Sequence, residues 1–155
     1  MMYKTHIAFG LFFGYIISLF VPVTNVYNYL IFCILGSLLP DIDHEKSYIS
    51  NKLFGISKII SSFFGHRGFF HSIFPPMILY SIFYFMDLHL VGLGLFVGYF
   101  SHLLSDALTV SGINFLYPAS KFQLKGFFVT NGVLEYVFFV VLSILDGYLL
   151  KGFIF

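Results

Sequence analysis

The chain reads as an all-α bundle of about five membrane-spanning helices, with one short helix lying in the interface. Three observations predict it. First, its 155 residues are 59% hydrophobic and only 10% charged, against about 25% charged residues in a soluble domain, and the mean hydropathy is +0.92. Second, five apolar runs stand out, at residues 7–22, 27–40, 69–86, 90–108 and 132–150. A helix of about 18–20 residues crosses the hydrocarbon core at ~1.5 Å per residue. Third, histidines and aspartates fall at the ends of these runs. His6 opens the first, Asp41, Asp43 and His44 close the second, His66 and His71 open the third, and His102 and Asp106 close the fourth.

The first run contains His6, lacks an A-x-A-type cleavage site and is followed by equally apolar runs, so it is expected to be a retained span rather than a signal peptide. Pro22, Thr24 and Asn25 make the first turn. The second run is short, either tilted or ending within the interface, and Pro40 marks its boundary. Residues 41–68 are the most polar part of the chain. Within them Leu53, Ile56, Ile60 and Phe63 recur at helical spacing against Ser50, Lys52, Ser57, Lys58 and Ser61, the pattern of a helix lying in the interface. Asp87, Leu88 and His89 turn the third run into the fourth. Gly10/Gly14 and Gly94/Gly98 recur at four-residue spacing and allow close helix approach. Gly112, Asn114, Pro118, Lys121, Lys125 and Asn131 make 110–131 a loop, re-entrant or covering something. The fifth run ends the chain. With no internal repeat and no linker, residues 1–155 form one domain. Cys33 is alone, so no internal disulfide forms. The net charge of +1 favours no nucleic-acid partner.

Counting crossings from the N-terminus places residues 41–68, Asp106 and 110–131 on the N-terminal side of the membrane. That side then holds Lys4, Lys46, Lys52, Lys58, Arg67, Lys121 and Lys125, while the other holds Lys151. The bias makes the N-terminal side cytoplasmic, and the named histidine and aspartate clusters all fall on it.

His102 and Asp106 stand i,i+4 and share a helix face, where imidazole and carboxylate suit zinc, manganese or iron. Alone, the pair equally reads as a hydrogen-bonded helix end. Asp41, Asp43 and His44 put carboxylates at a helix C-terminus, which already carries negative partial charge. A cation there would remove the conflict, and a solvated cap is the bland alternative. His66 and His71 fit one site if His66 precedes the third helix and His71 lies in its first turns. Arg67, the single arginine, suits phosphate or carboxylate, or simply sets topology. Glu135, in the first turn of the fifth span, reads as an interfacial carboxylate, with a general base as the alternative. His89, Asp87 and Asp146 count toward the opposite side and read as surface or packing residues. Ionisable groups gathered at membrane depth point to function.

These motifs resemble a known family. A histidine at the start of the first span, LPDIDH (39–44), HRGFFHS (66–72) and SHLLSDALTVSG (101–112), followed by Tyr117-Pro118, together resemble the membrane-bound, metal-dependent hydrolases of the YdjM-like inner-membrane type. The match runs from His6 to about Pro118. The resemblance implies a multi-pass protein of a bacterial cytoplasmic membrane with a divalent-metal hydrolase site, distantly similar to zinc-dependent phospholipase C-like enzymes. It carries over His6, Asp41, Asp43, His44, His66, His71, His102 and Asp106 as metal candidates.

The expected chemistry is metal-assisted hydrolysis by one or two divalent ions, zinc first and manganese or iron as alternatives. His6, Asp41, His44, His66, His71, His102 and Asp106 are the expected ligands. Asp43 is the expected acid/base, and Arg67, with Lys46 or Lys121, the holder of substrate charge. A site at the interface suits a membrane lipid or other amphiphile, above all a phospholipid or lipid-linked phosphate ester. The chain lacks H-E-x-x-H, which disfavours a peptidase. Two other classes compete: a divalent-metal transporter, whose ligands belong near the bilayer midplane, and a non-catalytic structural or regulatory membrane protein. The sequence leaves oligomeric state open.

Overall fold

The structure, a computed structural model, describes residues 1–43, 68–120 and 122–154, with the side chains of 42, 43, 153 and 154 excepted. Among the described residues the chain forms five α-helices: α1 (Tyr3–Ser18), α2 (Val26–Leu38), α3 (Phe74–Phe85), α4 (His89–Ala107) and α5 (Val133–Ile154). Short 3-10 turns, Leu39–Asp43 and Phe69–His71, follow α2 and precede α3. The all-α expectation holds. Among the described residues β-pairing amounts to the isolated bridges Thr109–Phe128 and Ile113–Leu124 in the segment after α4. The expected interfacial helix of Leu53 to Phe63 lies outside the described residues.

The helix boundaries differ from the apolar runs where polar side chains are buried or proline intervenes. α1 starts at Tyr3 rather than residue 7, because Thr5 and His6 belong to the bundle interior. It stops at Ser18. Asn25 then caps α2, its side-chain oxygen accepting from the Asn28 N–H at 3.0 Å. Pro75 and Pro76 occupy the first turn of α3, where a missing N–H costs nothing. They delay the helix to Phe74. His71 therefore sits in the 3-10 turn before α3, not in the first turns of the helix as its spacing suggested. Tyr99 of α4 donates its hydroxyl to the Phe70 carbonyl at 2.6 Å and ties that turn to the bundle.

α4 is the central helix and packs against α1, α2 and α3, while α5 packs on α1. The α2–α4 seam is the tightest. A Cβ on Gly98 would overlap the Cys33 carbonyl, and one on Gly36 would overlap the Leu95 carbonyl. Small residues let the backbones meet, and dispersion between them replaces a hydrophobic force that lipid does not provide. Tyr29, Leu30, Cys33 and Val97 fill this seam. Gly10 and Gly14 bring α1 onto Ser37 and Cys33 in the same way.

α4 and α5 are long and apolar enough to cross a bilayer, whereas α2 and α3 are shorter apolar helices. Most of α5 is unburied within the chain, as suits a lipid-facing helix. The starts of α1 and α5 lie together, because the Met2 N–H donates to Glu135. The start of α1 also meets the end of α4 through His6 and Asp106. One end of the bundle thus collects the start of α1, the end of α2, the approach to α3, the end of α4 and the start of α5.

Candidate metal site

The site is built on the last turns of α4. His102 and Asp106 point the same way from adjacent turns, with His102 Nε2 3.7 Å from Asp106 Oδ2. α1 brings His6, whose ring stacks on that of His102 with centroids 3.7 Å apart and planes 11° apart. Its Nε2 lies 3.5 Å from Asp106 Oδ1. The turn before α3 brings His71, its Nε2 3.7 Å from Asp106 Oδ2, with its ring edge-on to His102 at 5.5 Å. The turn after α2 brings Asp41, its Oδ1 3.9 Å from His102 Nε2. His6, His71, His102 and Asp106 are buried, and Asp41 is partly exposed. The cluster therefore opens toward Asp41.

Hydrogen bonds behind the rings decide where the imidazole protons sit. His102 Nδ1 lies 2.7 Å from the Ser37 carbonyl, which can only accept. Nδ1 therefore carries the hydrogen, and neutral His102 presents a lone pair at Nε2. The Ser105 hydroxyl spends its one hydrogen on the His102 carbonyl at 2.9 Å. Ser105 Oγ must therefore accept from His6 Nδ1, 2.8 Å away, and His6 also presents a lone pair at Nε2. Both Nε2 atoms are buried without a hydrogen-bond partner. Each faces carboxylate oxygens; with neutral rings that is lone pair against lone pair, which a metal cation or a proton on Nε2 relieves.

No ion is part of the structure, and the donor set fits one. Two overlapping groups, His6–Asp41–His102 and His71–His102–Asp106, each keep their ligand atoms within 4.8 Å of one another. Bonds of about 2.1 Å at a tetrahedral centre put ligand atoms roughly 3.4 Å apart, close to the 3.5 to 3.9 Å found here. Three imidazoles and two carboxylates, those of His6, His71, His102, Asp41 and Asp106, are a donor set that suits a divalent cation. Asp106 already attracts positive charge, with the α-ammonium of Met1 against its Oδ1. Hydrogen-bonded partners behind the ligating rings are a regular feature of metal-binding histidines.

Of the expected ligands, His6, Asp41, His71, His102 and Asp106 come together. His44 and His66 lie outside the described residues, as do Arg67, Lys46 and Lys121. Asp43 closes the turn that bears Asp41, and its side chain is outside the described set. His89 pairs with Asp87 at 3.8 Å in an exposed turn between α3 and α4, away from the cluster. Glu135 is fully buried and differs from an interfacial carboxylate. Its two oxygens accept from the backbone N–H groups of Met2 and Asn131, each at 2.6 Å, so it clamps the start of α1 to the start of α5. Ser105 and the Ser37 carbonyl were missed by reading the sequence. Ser105 had a usable signal, since it stands one turn after His102 and beside Asp106. A backbone carbonyl leaves none.

A family model described as YdjM inner membrane protein matches residues 1–153. The Inner membrane protein YdjM of Escherichia coli (strain K12) is 44% identical over 92 residues, covering 55% of this chain and 46% of that protein. The Uncharacterized protein YvsG of Bacillus subtilis (strain 168) is 43% identical over 88 residues, covering 56% of this chain and 54% of that protein. The chain spans about half the length of the curated relatives it matches. No solved structure matches it.

Proposed function

The chain belongs to the YdjM inner membrane protein family, and we propose that it is a metal-dependent hydrolase working at the cytoplasmic face of the membrane. The observation that carries this reading is the pair of Nε2 lone pairs, held toward Asp106 by bonds from Ser105 and Ser37 and left without a partner. His6, Asp41, His71, His102 and Asp106 are the proposed ligands of a divalent cation, zinc first, then manganese or iron. When bound, such a cation supplies Lewis-acid polarisation and activates water at neutral pH.

The residues around it divide the remaining work. Ser105 and the Ser37 carbonyl keep His6 and His102 in one tautomer. The stacked rings exclude water from the buried side, so substrate approaches past partly exposed Asp41. Asp43, two residues further on, is the candidate acid/base that takes a proton from water and returns it to the leaving oxygen. Arg67 is the candidate holder of anionic charge on the substrate. These last two roles rest on the sequence.

The favoured substrate is a phospholipid or other lipid-linked phosphate ester. The cluster sits at the ends of apolar helices rather than at their middles, the depth of a head group and not of a transport site. Elemental analysis of detergent-purified protein tests the metal. Wild type is expected to hold stoichiometric metal, and His102→Ala and Asp106→Ala to lose it. Unchanged metal in both variants, or none in wild type, overturns the site. Metal-dependent release of a phosphorylated head group from lipid vesicles tests the reaction.

A further inference from the structure

α2 and α3 both pack on α4 and scarcely meet each other. Between them lies a groove of about 570 Å³ whose lining includes Phe32, Leu35 and Leu39 on one wall, Leu79 and Phe83 on the other, and Leu95 at its floor. Among the described residues no polar side chain lines it. Resting on the hydrolase reading, we propose that this groove holds one hydrocarbon chain of the lipid substrate, with the ester end of that chain at Asp41.

Position argues for this occupant. Leu39 opens the 3-10 turn that carries Asp41, and the Ser37 carbonyl, two residues earlier, holds His102. One end of the groove therefore adjoins the metal cluster. From there it follows α2 back to Phe32, about 10 Å at 1.5 Å per residue, a depth that reaches well into one leaflet. Its volume falls within the roughly 300–1,000 Å³ of small-molecule sites.

Chemistry argues against a protein occupant. A docking helix in lipid needs small residues for close approach or polar groups to bond. Here the glycines of the α2–α4 seam, Gly36, Gly94 and Gly98, are already used against each other's helices, and the groove presents branched and aromatic side chains. A flexible hydrocarbon chain needs neither small residues nor hydrogen bonds. A methylene gains little by leaving lipid for an apolar groove, so shape rather than hydrophobic transfer does the selecting.

The chain contains no tryptophan, so a single introduced one reports on its surroundings alone. Phe83→Trp places the reporter in the groove, and Ile144→Trp places it on the exposed face of α5. Each variant goes into phosphatidylcholine vesicles carrying increasing fractions of acyl-brominated phosphatidylglycerol or phosphatidylethanolamine, whose chains quench tryptophan on contact. The groove reporter is expected to quench saturably, with one of these lipids, at a several-fold lower mole fraction than the α5 reporter. Val91 of α4 also lines the groove, and adding Val91→Phe to fill it is expected to abolish the saturable phase. Phe32→Trp serves as a second reporter if Phe83→Trp folds poorly. Equal, proportional quenching at both positions with both lipids overturns the proposal, because the groove then holds only bulk lipid. Absent quenching in the groove also overturns it, because protein then covers the site. Metal analysis of the same tryptophan variants, with the His6, Asp41, His71, His102 and Asp106 cluster intact, separates the two readings. A saturable phase in a protein that binds no metal sinks the hydrolase reading alone, whereas bound metal without that phase sinks the groove alone.

Discussion

Ser105→Ala removes one hydroxyl from behind the proposed metal site and leaves every proposed ligand in the chain. Ser105 Oγ accepts from His6 Nδ1 at 2.8 Å, and both residues are buried. Without the hydroxyl, two outcomes are open to the ring. Either the Nδ1–H stays buried and unpaired, at a cost of about 1–3 kcal/mol, or the hydrogen moves to Nε2 and the lone pair facing Asp106 is lost. Both weaken the site. At about 1.4 kcal/mol per factor of ten, the first outcome corresponds to roughly a 10- to 100-fold loss of affinity, the range typical for partners behind a metal-bound histidine. The assay is zinc titration of detergent-purified, chelator-stripped protein against a competing chelator. The thermal midpoint of the metal-free protein reports whether the fold survived. Ser105→Thr keeps a hydroxyl and is expected to retain most of the affinity. A Ser105→Ala protein that folds and binds zinc as tightly as wild type would refute the tautomer reasoning and remove His6 from the ligand set.

Saturating metal should stabilise wild type by about 2.7 kcal/mol at roughly 100 times Kd and leave Asp106→Ala unchanged, as read by thermal unfolding in detergent. Affinity should fall as pH drops below 7, because binding needs neutral imidazoles and ionised carboxylates and so releases protons; a flat pH profile would exclude histidine ligation. Gly98→Ala should cost about 1–3 kcal/mol by overpacking the α2–α4 seam and should weaken metal binding by shifting the Ser37 carbonyl from His102. Gly147→Ala, with open space around it, should change neither thermal midpoint nor metal content. Glu135→Ala orphans the Met2 and Asn131 amides and should lower the thermal midpoint more than Glu135→Gln, which keeps one acceptor.

Much of the bundle was legible in the sequence. Apolar run length and scarce charge demand helices in lipid, where every backbone group must be satisfied within its own segment. The alternation of crossings was enough to bring the starts of α1 and α3 to the ends of α2 and α4. Pro40 and the Asp87 turn marked boundaries correctly, since proline and turn residues act through local backbone geometry. The Pro75–Pro76 pair was equally visible, and weighing it would have placed His71 ahead of α3.

By itself the sequence determined which side chains with metal-binding chemistry stand near one end of the bundle, because spacing along a helix and the count of crossings are one-dimensional facts. Only the tertiary structure decided that His6 stacks on His102, that Ser105 and a backbone carbonyl orient both rings, and that Glu135 clamps backbone amides. Those outcomes depend on how closely glycine-lined helices approach and which atoms then meet, and a carbonyl that fixes a tautomer is the same atom in every residue type. The groove between α2 and α3 belongs to the same class, since it exists because two helices share a third as their support and splay apart.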